Sequence, residues 1–216
     1  MNAAEKLKND VEQELRWDPS VHSEQIGVSV KDGVVELDGH VGSYYEKWAA
    51  ERDVMRVANV TSVASEIKVD LSSLPPRTDE EIARIATSHL EWNALVPPTI
   101  KVQVTDGFVT LKGTAEWQYQ IDEAQRALTP LIGVKGVRND VDLKPSISAG
   151  NVKTKIEEAL KRNAEIDASH ITVEATGRTV TLRGSVQSWS EREGAERAAF
   201  WAPGVTKVDN RIIIGN

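Results

Sequence analysis

The feature that most constrains this chain is a segment of about seventy residues that occurs three times in succession. Aligning Gly39 with Gly113 and Gly184 gives offsets of 74 and 71 residues, and these offsets hold without a gap to the end of each copy. Apolar positions recur at the same offsets, among them Val35, Val109 and Val180, Leu37, Leu111 and Leu182, and Val63, Val137 and Val208. Self-similarity at a fixed period is the signature of a repeat architecture. The sequence therefore predicts three modules.

Each copy follows the order helix, strand, strand, helix, strand. In the first copy an apolar stripe at helical spacing covers residues 7–15, and an alternating apolar pattern over residues 26–30 predicts a half-buried strand. Asp32-Gly33 and Asp106-Gly107 predict tight hairpin turns, whereas Gly177-Arg178 predicts a different turn type in the third copy. We therefore predict an α+β fold of three tandem αββαβ modules, each a three-stranded sheet with two helices on one face. The predicted boundaries are residues 1–72, 77–144 and 149–216.

Recurring residues near the strands have a structural interpretation. Gly39, Gly113 and Gly184 fall near the end of the second strand, where we expect a bulge or a close helix contact rather than a ligand. The valines that recur on the last strand, Val63, Val137 and Val208, belong to the buried pattern.

Two short segments connect the predicted modules. Residues 71–79 contain Pro75-Pro76, which makes the first linker semi-rigid. Thr78 and Glu81 resemble a capping box for the helix that follows it. Residues 144–151 form the second linker.

Composition excludes several classes of function. The chain has no cysteine, so disulfides and thiolate chemistry are absent. The net charge of −7 is uneven, with 8 basic and 14 acidic side chains in residues 1–74, 8 and 10 in residues 75–146, and 10 and 9 in residues 147–216. The acidic average argues against a nucleic-acid partner. The sequence has no transmembrane segment and a polar N-terminus without signal-peptide features. We expect a cytoplasmic protein, or a periplasmic one if Met1 stands in place of a removed signal.

The repeated motif resembles that of a known family. It runs as Asp-Gly, Val-x-Leu-x-Gly, a polar helix with Ala-x-Arg, and Gly-Val-x-x-Val-x-Asn, carried for example by residues 106–113 and 203–210. The first copy departs from it at Asn59-Val60 and Ser65. The pattern is similar to the BON domain, named for bacterial osmotic-stress and nodulation proteins. The resemblance implies an αββαβ fold and a non-catalytic role in attachment to phospholipid surfaces or partner proteins.

Residues that could support catalysis or metal binding do not form a pattern. The four histidines, His22, His40, His89 and His170, lie more than five residues apart and occupy no equivalent repeat positions, whereas a metal site needs converging ligands. The serines lack a nucleophile elbow, and we expect the acidic residues on solvated outer helix faces. We predict no enzyme activity, no catalytic residues, no cofactor and no metal.

The third copy has the most basic character and suggests a binding surface. Its candidate residues are Arg178, Arg183, Trp189, Arg192 and Arg197, which fit transient contact with an anionic phospholipid surface. Trp17 and Trp92 each follow a matched leucine by two residues, and we expect them to pack at the helix end. The sequence favours a stress-associated module that binds a protein or envelope surface, with peripheral phospholipid binding through the third copy as the alternative. A cation or small-ligand sensor is a weaker alternative.

Overall fold

A computed structural model of the protein describes residues 3–144, 152–163 and 168–215, where the chain forms six α-helices and three sheets. The second predicted linker lies outside these ranges apart from Lys144. Module 1 contains α1 (Ala3–Trp17), β1 (Ile26–Lys31), β2 (Val34–Val41), α2 (Tyr44–Arg56), β3 (Ser62–Ser65) and β4 (Lys68–Val69). Module 2 contains α3 (Asp79–Trp92), β5 (Lys101–Thr105), β6 (Phe108–Ala115), α4 (Gln118–Leu128) and β7 (Gly136–Leu143). Module 3 contains α5 (Val152–Arg162), β8 (Ile171–Thr176), β9 (Thr179–Val186), α6 (Trp189–Phe200) and β10 (Lys207–Ile214). The predicted α+β architecture of three repeated modules is confirmed.

Each sheet has the second strand of its module at the centre. β2, β6 and β9 pair antiparallel with the strand before them and parallel with the strand that follows the second helix. A parallel partner requires a crossover connection, which α2, α4 and α6 supply. The short 4-stranded sheet of module 1 keeps this order, because β3 and β4 both pair with β2.

Each module builds a core of its own between its helices and one face of its sheet. The first helices bury their predicted apolar stripes, and the central strands bury alternate residues completely. Full burial of one such side chain contributes about 1.5–3 kcal/mol. The deepest side chains include Val35 and Leu37, Val109 and Leu111, and Val180 and Leu182. Val63, Val137 and Val208 pack against these cores from the third strand.

The repeated glycines sit where two stretches of main chain approach closely. Gly39, Gly113 and Gly184 have φ values of 128°, 121° and 134°, a region that favours glycine. A Cβ at each would collide with a main-chain carbonyl just before the first strand of the module. The close approach therefore comes from backbone preceding the sheet, where we had expected a bulge or a helix.

The hairpin turns and the first linker follow the local sequence. The central residues of the Asp32-Gly33 and Asp106-Gly107 turns all have positive φ, as a type I′ turn requires. In the third hairpin Gly177 alone does, with φ of 61°, so the turn differs as predicted. The capping box is also confirmed, because the Glu81 N–H donates to Thr78 Oγ1 at 3.2 Å and the Thr78 N–H donates to Glu81 Oε2 at 2.9 Å.

Module 1 departs from the other two in its third strand, which is divided into β3 and β4. Asn139 and Asn210 take the position of Ser65 in the unbroken strands β7 and β10. Their Oδ1 atoms accept from the main-chain N–H two residues on, at 3.0 Å from Val141 and 3.2 Å from Ile212. Ser65 Oγ is buried and has no hydrogen-bond partner among the described residues. Module 1 therefore lacks the side-chain hydrogen bond that Asn139 and Asn210 make within the third strand.

Candidate interaction surfaces

The five residues proposed from the third copy lie on two sides of module 3. On β9 the side chains of Leu182 and Val186 are buried on the face toward the core, whereas Arg183 is exposed. Because alternate side chains of a strand lie on opposite faces, Arg183 points to the open face of the sheet. Trp189, Arg192 and Arg197 belong to α6, which covers the opposite face. Arg178 lies in the hairpin turn and is exposed. The fold does not bring these residues together as one surface.

Several of these cations are engaged within the module. Arg192 donates from Nε to the Ile212 carbonyl at 3.1 Å and from a terminal nitrogen to the Asn210 carbonyl at 2.8 Å. Its guanidinium also lies 5.0 Å from the Trp189 ring centroid, within cation–π range. These contacts tie α6 to β10, so Arg192 has a structural role that the sequence did not reveal.

Two of the three exposed arginines of this set have acidic neighbours. Arg183 lies 3.6 Å from Glu174 across the sheet, and Arg197 lies 4.0 Å from Glu193 on α6. Exposed pairs of this kind contribute about 0–1 kcal/mol. They remain available to an external anion at little cost.

Three tryptophans stand out of the surface, one in each module. Trp17 is 84% exposed, Trp92 is 88% exposed and Trp201 is 61% exposed. Our expectation that Trp17 and Trp92 pack at their helix ends is wrong. A residue two positions after Leu15 or Leu90 lies about 200° around the helix from it, so both tryptophans face away from the core. The sequence carried this signal in its periodicity.

The third tryptophan lies at a different position in the repeat but in a related place. Arg162 occupies the position of Trp17 and Trp92 in module 3. Trp201 follows the end of α6 and lines one groove together with Arg162 and Lys155 of α5, and Glu158 also lines it. Module 3 therefore presents an exposed indole beside two cations at the end of its helix pair.

In module 2 the surroundings of Trp92 are apolar. Leu95 is 52% exposed three residues beyond the helix. A neighbouring groove is lined by Leu90, Val96, Pro97 and Ile100 among others. The loop after α3 thus forms a shelf suited to an apolar partner surface.

In module 1 the loop after α1 is fastened to α2 by charged side chains. Arg52 donates to Asp18 Oδ2 at 2.8 Å and to Asp53 Oδ1 at 2.8 Å. Glu46 accepts from the His22 main-chain N–H at 2.8 Å, and its Oε1 lies 2.8 Å from His22 Nδ1. Trp17 immediately precedes this loop.

Two of these carboxylates are buried. We expected acidic side chains on solvated helix faces, but Glu46 is 5% exposed and Asp53 is 1% exposed. Burial raises the pKa of Asp53, whose Oδ2 has no hydrogen-bond partner among the described residues. Hydrogen bonds from Ser20 lower the pKa of Asp18, and the hydrogen bond with Glu46 raises the pKa of His22.

Module 1 contacts modules 2 and 3 through α2 and the loop after it. Tyr44 packs against the core of module 2, and the main chain of Val137 hydrogen-bonds its hydroxyl. Burial there raises the pKa of Tyr44. On the other side α2 contacts α6, and the Asn59 N–H donates to the Gln187 carbonyl at 3.2 Å. The modules are therefore in contact with one another rather than joined by linkers alone.

Within the described ranges the chain has neither a metal-binding cluster nor a membrane-spanning helix. They contain no group of three or more His, Asp or Glu side chains arranged to hold a metal ion. None of their helices is long and apolar enough to cross a bilayer.

Comparison with known families identifies the repeated unit. The family described as the BON domain matches residues 3–70, 78–145 and 148–216. Osmotically-inducible protein Y of Escherichia coli (strain K12) is 32% identical over 130 residues, a match that covers 58% of this chain and 65% of that protein, just under two thirds of its length. Two solved structures of CdsD, a structural protein of the type III secretion system of Chlamydia trachomatis, align with TM-scores of 0.28 and 0.26 at 16% and 17% identity. They cover 97% and 96% of this chain and 98% and 91% of the solved chains.

Proposed function

The chain belongs to the BON-domain family, and we propose that it is a non-catalytic interaction protein associated with osmotic stress. In this proposal it docks on a protein or envelope surface through Trp17, Trp92 and Trp201. The single observation that carries the proposal is that each module exposes one tryptophan, by 84%, 88% and 61%. The name of the Escherichia coli relative supports the link to osmotic stress.

Exposed indoles are costly to keep in water and are effective at interfaces. Tryptophan is enriched among the residues whose truncation costs about 2 kcal/mol or more of binding free energy. Three weak sites on one chain gain avidity because the second and third contacts form within the same complex. A tandem array can thereby bind a surface that one module would not hold.

The buried acidic groups support a non-catalytic role. Glu46 caps α2, where it accepts from the main-chain N–H groups of His22 and Gly42 at 2.8 and 3.0 Å. Asp53 is paired with Arg52 at 2.8 Å. Each of these carboxylates has a structural partner, so neither is set out as a general acid or base.

The test compares the full chain with a variant that carries Trp17→Ala, Trp92→Ala and Trp201→Ala. Both are used as bait after crosslinking in osmotically stressed host cells, and recovered partners are quantified. The matched control is Phe108→Ala, because Phe108 is 55% exposed but lies on the open face of a sheet. We expect partners that the triple variant loses and the control keeps. Equal recovery with all three proteins would contradict the proposal.

A second candidate function is peripheral phospholipid binding through module 3. The observation that favours it is the groove where Trp201 lies with Arg162 and Lys155. Tryptophan anchors at the headgroup level of a bilayer, and each basic residue near an anionic leaflet contributes about 1 kcal/mol. This surface differs from the one predicted from the sequence, which comprises Arg178, Arg183, Trp189, Arg192 and Arg197.

Vesicle co-sedimentation tests this second candidate. The full chain is mixed with phosphatidylcholine vesicles with and without phosphatidylglycerol, at low and moderate salt. We expect pelleting with the anionic vesicles that weakens with salt and is lost in Trp201→Ala and in Arg162→Ala. Arg183→Ala, on the open face of the sheet, serves as the matched control. The absence of pelleting at either salt concentration rejects the candidate.

The predicted cytoplasmic location, with the periplasm as its alternative, stays a prediction. Fractionation of the native host tests it. Docking through the tryptophans does not depend on its outcome.

A further inference from the structure

In module 2 the hairpin turn between β5 and β6 holds a carboxylate. The Asp106 N–H donates to Asp79 Oδ2 at 2.8 Å, and the Gly107 N–H donates to Asp79 Oδ1 at 2.8 Å. Both turn residues have positive φ, 54° and 81°. Successive main-chain N–H groups in a turn form a concave anion site. Asp79, at the start of α3, fills this site from within the module.

Module 1 has the same turn without the carboxylate. Asp32 and Gly33 have φ values of 51° and 79°, within a few degrees of their counterparts. Lys31 pairs with Val34 on either side, as Thr105 pairs with Phe108 in module 2. Within the described residues no acceptor bonds the Asp32 or Gly33 N–H groups. The donor pair is therefore preserved while its internal acceptor is not.

The start of the first helix explains the difference. Aligning Leu7 with Ile82 places Ala4 at the position of Asp79 and Lys6 at the position of Glu81. Two side chains that carry carboxylates in module 2 are thus an alanine and a lysine in module 1. Both changes act in the same direction, because they remove negative charge and add an ammonium group near the turn.

These residues line one cavity at the end of module 1. Ala4, Lys6, Asp10, Asp32, Gly33 and Asn59 form most of its wall. Asp32 is no obstacle to an anion, since Asp106 at the same position accompanies the bound Asp79 carboxylate. Asp10 adds a negative charge that favours a ligand carrying an ammonium group beside its carboxylate.

We propose that this cavity binds a small carboxylate through the main-chain N–H groups of Asp32 and Gly33, with Lys6 as the counter-charge. The site is distinct from the tryptophan surfaces and reaches the contact between modules 1 and 3. Asn59 lines it and also donates to the Gln187 carbonyl of module 3 at 3.2 Å. A carboxylate bound here adjoins that contact.

The test follows the amide signals of the ¹⁵N-labelled full chain during titration with sodium acetate and with glycine. Sodium chloride at matched ionic strength gives the baseline. We expect saturable shifts at Asp32 and Gly33, with glycine binding more tightly than acetate because of Asp10. The Asp106 and Gly107 amides serve as an internal control and stay still, because Asp79 occupies them.

Substitutions can add a carboxylate to the turn of module 1 or remove it from the turn of module 2. Ala4→Asp supplies the missing carboxylate and abolishes the response at Asp32 and Gly33, whereas Asn9→Asp adds the same charge at an exposed position of α1 that does not line the cavity, and keeps it. Asp79→Ala frees the Asp106 and Gly107 N–H groups, so their amide signals should then shift during the titration. Asp79→Asn gives a second variant if the alanine form unfolds.

Shifts that drift linearly with salt, or that survive Ala4→Asp in a folded protein, would overturn the proposal. So would equal loss of the response in Asn9→Asp. None of these outcomes bears on the tryptophan surfaces, so failure here is distinguishable from failure of the proposed function.

Discussion

Modules 1 and 2 have the same strand order and pairing pattern, yet they fasten the loop after their first helix by different chemistry. In module 1 the loop is held by the Asp18–Arg52 ion pair and the His22–Glu46 contact, both at 2.8 Å. In module 2 Asn93 donates from its amide to Glu123 Oε1 at 3.2 Å. Val96 takes the place of the buried Val21, so Pro97 stands where module 1 has His22. The cores repeat because they encode the fold. The contacts around them have diverged, and each divergence can be tested against its counterpart.

The largest effect is expected from the shared core. Leu37→Ala and Leu111→Ala each remove a fully buried side chain, which costs about 2–5 kcal/mol of the free energy of unfolding. Because each module has its own core, Leu37→Ala should lower amide-exchange protection most in β2 and least in β6. Leu111→Ala should do the reverse. Equal loss of protection in both modules from one substitution would contradict separate cores.

A smaller difference is expected from two equivalent arginines. Arg52→Ala leaves the buried Asp53 without its close cation, and we expect it to cost about 1–3 kcal/mol, reduced from the full cost of breaking a buried pair because Arg52 is partly exposed. Arg126 holds the same repeat position but is 67% exposed and pairs with Glu123 on the surface. Arg126→Ala should cost less than about 0.5 kcal/mol. Denaturant unfolding of both variants checks the difference, and equal costs would remove the distinction between the modules.

The divided third strand gives the next effect. Ser65→Asn would supply the side-chain acceptor that Asn139 provides in module 2, and we expect it to add about 1 kcal/mol of stability. Asn139→Ser should lose a comparable amount. The shift of the denaturation midpoint measures both, and a Ser65→Asn protein less stable than the original would show that the division has another cause.

The smallest effect concerns pH. The hydrogen bond with Glu46 raises the pKa of His22 above its ordinary value of 6.5, so protonated His22 stabilises the folded state. This contribution is complete below the unfolded pKa of about 6.5 and is lost as pH rises through the higher folded pKa. Amide exchange at residues 18–25 should therefore quicken relative to residues 93–100 as pH rises through that window, after correction for intrinsic exchange. A His22→Gln variant should lose this difference, and its persistence would exclude His22 as the cause.

Local patterns in the sequence were enough to predict the fold. The stripe ending at Leu15, the alternation through Val28 and the Asp32-Gly33 turn each depend on neighbouring residues, so they could be identified without a structure. The same periodicity places Trp17 off the stripe, on the exposed side of the helix. It does not indicate the burial of Asp53, which lies four residues after Ala49, a residue that the structure shows to be buried.

The remaining contacts join distant parts of the chain. Arg192 binds carbonyl groups 18 and 20 residues away, and Asp79 binds a turn 27 residues away. Such pairings depend on how the strands and helices pack, so residue spacing alone does not predict them. For this reason the sequence pattern indicates neither the contacts of Arg192 within module 3 nor the role of Asp79.

The central claim is that the three modules contact a partner surface in the cell, each through its one exposed tryptophan. Hydroxyl-radical footprinting tests this claim most directly. Oxidation of Trp17, Trp92 and Trp201 is compared between the purified chain and the chain inside osmotically stressed host cells. Phe108 and Ile213, which are 55% and 66% exposed, serve as references. Docking through the tryptophans predicts that the three indoles are protected in cells while Phe108 and Ile213 remain reactive. Tryptophans that are oxidised in cells as fast as in the purified protein would contradict the account.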